Sequence, residues 1–88
     1  MSDKYEKLRE LLAEQKFPLL YPFKFIIKED NAKLIQIKQV FDETAEYQVR
    51  KSKNGNYSSI TIRQMMLSSD EIIAKYEQMT GIEGVISL

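Results

Sequence analysis

The chain predicts an α+β domain of the ferredoxin-like type, β-α-β-β-α-β, with a four-stranded antiparallel sheet, two helices on one face and an extra N-terminal helix. Three observations carry this prediction. Hydrophobic spacing switches repeatedly between the three-to-four period of a helix and the two-residue period of a strand. Asn54-Gly55 lies between two alternating segments. Ser68 stands three residues ahead of Glu71, where a helix should begin.

Residues 2 to 14 place Tyr5, Leu8, Leu11 and Leu12 at helical spacing among charged residues, with Ser2 or Asp3 available as a cap. Phe17-Pro18 breaks that pattern, because proline disfavours helical geometry in the residue before it. From Leu20 the period becomes two: Tyr21, Phe23, Phe25 and Ile27 alternate with Pro22, Lys24, Ile26 and Lys28, as in a strand with one buried face. Leu34, Ile37, Val40 and Phe41 return to a helical stripe, with Asp30 or Asn31 as the N-cap.

Tyr47 and Val49 alternate before Asn54-Gly55, and Ile60 and Ile62 alternate after it. An Asn-Gly pair in that setting predicts a two-residue type I′ hairpin, since both residues tolerate positive φ. Ile72, Ile73, Tyr76 and Met79 form the next helical stripe, and Gly81 is placed to end it in a left-handed cap. The short, β-branched segment EGVISL closes the chain as a fourth strand. Residues 1–16 thus read as an amphipathic helix and residues 17–88 as the ferredoxin-like domain, with the first and third strands central.

Composition limits what such a domain does. With 88 residues, 43% of them hydrophobic, one core is expected. Thirteen basic and thirteen acidic residues cancel, so no global field draws the chain to nucleic acid or to an anionic membrane. Cysteine and histidine are both missing, which removes thiol chemistry, the usual zinc ligands and the commonest general base. The charged N-terminal segment does not read as a signal peptide, and no apolar run approaches the ~20 residues of a membrane helix. A cytoplasmic protein without a cofactor is the expectation.

The segment KSKNGNYSSITI invites comparison with a phosphate-gripping loop, but it holds one glycine and leads into a strand, where a Walker loop needs several residues converging on a helix N-terminus. RNA-recognition domains share the topology and stack bases on third-strand aromatics; here Tyr57 alone occupies that region. The neighbouring acids Asp42-Glu43 and Asp70-Glu71 diverge on a helix, so an enzyme using these, or Glu29 and Asp30, is the less favoured reading. Met65 and Met66 read as core packing at a strand end.

The sheet face away from the helices is the candidate site. If Phe23, Phe25, Tyr47, Val49, Ile60 and Ile62 face the helices, alternation sends Lys24, Ile26, Lys28, Gln48, Arg50, Tyr57, Ser59, Thr61 and Arg63 to the opposite side. Lys24, Lys28, Arg50 and Arg63 then make a face with four basic residues and no acidic one. It suits a protein partner or a small anionic effector.

FPLLYPFKFI and SKNGNYSSITI, with the closing IEGVISL, resemble the YbeD-like family of small bacterial proteins, a domain of unknown function. The first is similar to that family's Phe-Pro segment before an aromatic strand. The second is similar to its Ser-x-x-Gly-x-Tyr-x-Ser turn, carried here by Ser52, Gly55, Tyr57 and Ser59. Residues 17–88 are covered.

The resemblance implies a fold related to the ACT regulatory domains, which bind small effectors at dimer interfaces, and implies no activity. Where effector-binding ACT domains have a glycine after the first strand, this chain has KEDNA. The expectation is a non-catalytic regulatory or interaction domain, monomeric or weakly dimeric, with Ser52, Asn54, Gly55 and Ser59 shaping the hairpin.

Overall fold

The computed structural model describes residues 4–28, 31–53 and 55–87. In chain order the elements are α1 (Glu6–Ala13), β1 (Leu19–Lys28), α2 (Asn31–Val40), β2 (Glu46–Lys51), β3 (Tyr57–Met66), α3 (Ser69–Thr80) and β4 (Val85–Ser87). The strands form one antiparallel sheet in the order β2-β3-β1-β4, with β1 and β3 central. The ferredoxin-like α+β fold is therefore present, with the leading helix added.

Alternation in β1 decides the core. Phe23, Phe25 and Ile27 are buried and stand opposite Ile62, Ile60 and Ser58 of β3. Ile37 from α2 and Phe41 just after it, with Ile72, Tyr76 and Met79 from α3, cover that face, and Leu12 of α1 joins the same cluster. Each fully buried large side chain contributes roughly 1.5–3 kcal/mol relative to exposure, so this one face supplies most of the stabilisation. Gln64 is buried beside it with its carbonyl accepting from the Asp42 backbone N–H at 3.1 Å, which satisfies the polar group.

Aromatic rings organise the upper part of the core. Tyr76 lies 5.2 Å from Phe23, 6.0 Å from Phe25 and 6.4 Å from Tyr5 by ring centroid, and shares a 2.9 Å hydrogen bond with the Tyr21 hydroxyl. Lys75, one residue earlier, donates to the Val40 carbonyl at 2.6 Å. That bond satisfies a carbonyl at the C-terminus of α2, where a cation is also favoured by the helix dipole. Arg9 of α1 meets Asp70 of α3 at 2.7 Å on the surface, a pair whose exposure keeps its contribution small.

Pro22 sits inside a central strand, which ordinarily argues against the assignment. β4 pairs with β1 only at residues 25–27, so among the described residues Pro22 has a strand neighbour on one side alone. A missing N–H is tolerated there.

Several expectations need correction. The leading helix begins at Glu6 rather than residue 2; the expected caps at residues 2 and 3 lie outside the described residues. Asn31 already lies within α2, and the other expected cap, residue 30, lies outside the described residues. Gly81 has φ −73° and ends α3 in right-handed geometry, with its N–H on the Gln78 carbonyl; positive φ appears at Gly84 instead. Met66 is core, but Met65 is exposed on the other face, as alternation within β3 requires. The Ser68 cap is present: its hydroxyl accepts from the Glu71 N–H at 3.2 Å, while the Glu71 carboxylate reaches back to the Leu67 N–H at 2.7 Å.

Candidate functional site

The strand register lays out the open face row by row. Leu20 lies opposite Met65. Next, Pro22 lies opposite Arg63, which in turn faces Glu46. Lys24, Thr61 and Gln48 form the following row; Ile86, Ile26, Ser59 and Arg50 form the one after, and Lys28 stands opposite Tyr57 at the far end. The structure thus brings Lys24, Lys28, Arg50, Tyr57 and Arg63 onto one side of the sheet. Arg63 and Lys24 are diagonal neighbours on the two central strands. Lys24, Lys28, Arg50 and Tyr57 are exposed and Arg63 is half-buried.

The expectation of a face without acids does not hold. β2 begins at Glu46, one residue before its first apolar position, and the pleat puts Glu46 beside Gln48 and Arg50, directly across from Arg63. Among the described residues the face therefore carries four cations and one carboxylate. Opposite charges directly across a strand pair stabilise it by roughly 0.2–1 kcal/mol, so Glu46 offsets Arg63 locally and leaves Lys24, Lys28 and Arg50 as the less compensated charges.

Apolar groups interrupt the charges. Leu20, Met65, Tyr57 and Ile86 are each about half exposed on this face. At the Leu20 end the face runs into a groove of about 460 Å³ between α1 and the one-sided stretch of β1, lined by Leu8, Leu11, Leu19, Leu20 and Pro22 among others. Leu11 is 67% exposed there, a larger fraction than any residue of the helical core. The only sequence signal for this groove was Pro22, whose presence in a strand implies an unpaired side.

At the opposite end, Lys28 and Tyr57 meet the β2–β3 hairpin and border a hollow of about 640 Å³ with Gly55 and Asn56. The hairpin is longer than a two-residue turn. Ser52 donates its N–H to the Tyr57 carbonyl at 2.8 Å and accepts from the Tyr57 N–H through its hydroxyl at 3.2 Å, leaving residues 53–56 as the loop. Gly55 has φ 70° and donates to the Ser52 carbonyl at 3.0 Å. Ser52 therefore brackets the loop and Gly55 supplies its left-handed residue, while Ser59 lies on the open face between Ile26 and Arg50. The expected positive φ of Asn54 lies outside the described residues.

Among the described residues no group of three or more carboxylates converges. Asp42 accepts from both the Thr44 hydroxyl and the Thr44 backbone N–H, and these bonds hold its carboxyl below the ordinary range. A carboxylate so stabilised is a weak proton acceptor, the reverse of a general base poised near neutrality. Asp70 pairs with Arg9, Glu71 accepts from the Leu67 N–H at the start of α3, and residues 29 and 30 lie outside the described residues.

This pairing of an open ferredoxin-like sheet with a bracketed hairpin defines a small α+β domain. A family model described as protein of unknown function, DUF493, matches residues 13–88. UPF0250 proteins of Shewanella sp. strain ANA-3 and strain MR-4 are each 33% identical over 89 residues, spanning 97% of this chain and 94% of theirs. A UPF0250 protein of Shewanella oneidensis is 30% identical over the same shares. The chain belongs to this DUF493 family, which is the YbeD-like family that its turn and first strand resemble. No solved structure matches it. Because these relatives align along nearly the whole chain, the similarity extends into α1, ahead of the segment that carried the resemblance.

Proposed function

We propose that the chain is a non-catalytic interaction domain, bacterial and cytoplasmic, that binds the acidic surface of a partner protein through the open face of its sheet. The observation that carries this reading is the mixture on that face: Lys24, Lys28, Arg50 and Arg63 alternate with exposed Leu20, Tyr57, Met65 and Ile86. An excess of cations steers an acidic partner, and half-exposed apolar side chains give it area to bury. A fully solvated face has no use for the second feature. The adjoining groove lined by Leu8, Leu11 and Leu20 shares Leu20 and Pro22 with that face.

A small anionic effector is the second reading, in keeping with the regulatory role that the likeness to ACT domains implies. The hollow where Lys28 and Tyr57 meet Gly55 and Asn56 favours it. A regulatory domain of this kind would hold the anion at the hairpin end and leave the Leu20 end unused.

Replacing Lys24 and Arg63 together with glutamate separates these readings. Both side chains lie on the central strands outside the core. Affinity capture from the native bacterium with wild type and with the double variant should recover an acidic protein only with wild type. Equal recovery of the same protein by both would contradict the proposal. An unchanged capture profile combined with ligand-dependent stabilisation by small dianions would move the assignment to the hairpin end.

A further inference from the structure

We propose that two copies of this chain associate through the outer edge of β2, running antiparallel about Gln48 so that each Glu46 faces the partner's Arg50. β2 is the terminal strand of the sheet, so one of its edges carries backbone groups that no strand among the described residues engages. Which residues present those groups follows from the hairpin. Ser52 exchanges its hydrogen bonds with Tyr57, toward β3. In an antiparallel ladder the direction alternates along the strand, so Gln48 and Arg50 also bond inward, and Tyr47 and Val49 direct their N–H and C=O groups outward.

A second β2 meeting this edge must keep the helices of both copies on the same side, which requires helix-facing residues to lie opposite helix-facing residues. Centred on Gln48, the register sets Tyr47 against the partner's Val49 and Val49 against the partner's Tyr47. These are the outward-bonding residues, so both pairs close as hydrogen-bonded pairs. On the open face the same register sets Glu46 against the partner's Arg50, twice by symmetry, with Gln48 against the partner's Gln48. These three are the wide, non-hydrogen-bonded positions, where side chains approach most closely.

The segment Glu46-Tyr47-Gln48-Val49-Arg50 is thus complementary to itself in charge, in hydrogen-bonding direction and in apolar contact. Shifting the centre by one residue either way keeps the faces matched only by placing Glu46 opposite something other than Arg50, which forfeits both ion pairs. Val49 supports the choice. It faces the helical side yet remains 42% exposed, because β2 is the terminal strand and no described strand lies beyond its edge. The partner's Tyr47 would cover it. The product is a continuous eight-stranded sheet with all helices on one side and the two open faces side by side, an isologous arrangement closed by a single two-fold axis.

Charge exchange tests this seam directly. Glu46→Arg and Arg50→Glu, made separately, turn both cross-seam pairs into like-charge contacts, so each variant alone should dissociate about tenfold or more readily than wild type. Mixed in equal amounts, the two variants recover both pairs, one chain carrying two cations and the other two carboxylates. The mixture should therefore associate where neither component does. Val49→Pro is the second probe: it removes an outward N–H and leaves the bonds to β3 in place, so it should abolish association with the fold retained by circular dichroism.

Sedimentation equilibrium at low salt reads all of these. A wild-type dimer, weakened in each single variant and regained in the mixture, establishes the pairing. Wild type remaining monomeric at every concentration overturns it, as does association undiminished by the single substitutions, or a mixture no tighter than its components.

Discussion

Tyr76 is the residue on which the leading segment, β1 and α3 converge, through its contacts with Tyr5, Tyr21, Phe23 and Phe25. Burial first, and then the bond to the Tyr21 hydroxyl, push its phenol far above the ordinary value of 10.0. Tyr47 is raised too, by burial and then by the nearby Asp42 carboxylate. A phenol that resists ionisation when folded contributes stability that is intact below the unfolded pKa of about 10 and is lost as pH rises from there toward the folded value. Denaturant unfolding across about pH 9 to 11 should show stability falling by up to ~1.4 kcal/mol per pH unit on account of Tyr76, and Tyr76→Phe should flatten that slope. An alkaline slope undiminished in the variant would assign it elsewhere, to Tyr47 among others.

Gly55 makes a second residue-scale prediction. Its φ of 70° is one that a β-branched side chain adopts only at a cost, so Gly55→Val should destabilise the domain by on the order of 1–3 kcal/mol. An unchanged midpoint in chemical denaturation would place the loop in another conformation.

At the scale of elements, what the sequence revealed depended on how many constraints a segment had to meet. β1 was legible because large aromatics on alternate positions leave no other way to bury them. α3 was legible because Ser68 and Glu71 mark its start and an apolar stripe follows. Its end was misread: a glycine after a helix permits a left-handed cap without requiring one, and Gly81 simply continues the turn.

The hairpin failed similarly, since Asn-Gly suits a four-residue loop as well as a two-residue turn, and only the Ser52 bracket decides between them. Glu46 escaped notice because a strand can begin before its first hydrophobic residue. The groove beside α1 depends on the shortness of β4, which no local pattern announces. Removing the α3 cap tests the element directly: Ser68→Ala should cost about 1 kcal/mol, read as a lowered thermal midpoint, and a neutral substitution would show that the Glu71–Leu67 contact suffices.

For the whole molecule, a net charge of zero conceals a division of labour. The helical side buries the core, and the other side of the sheet gathers cations and half-exposed apolar groups around one carboxylate. Among the described residues no helix is long and apolar enough to cross a membrane.

The proposal that this side of the sheet meets an acidic partner rests on that excess of cations. The most direct measurement is an NMR titration of isotopically labelled chain with the protein recovered by capture, at low and at moderate salt. Perturbations centred on Lys24, Arg50, Tyr57 and Arg63, weakening as salt screens exposed charges over about 8–10 Å, are the predicted result. Perturbations confined to α2 and α3, with no response to salt, would contradict it.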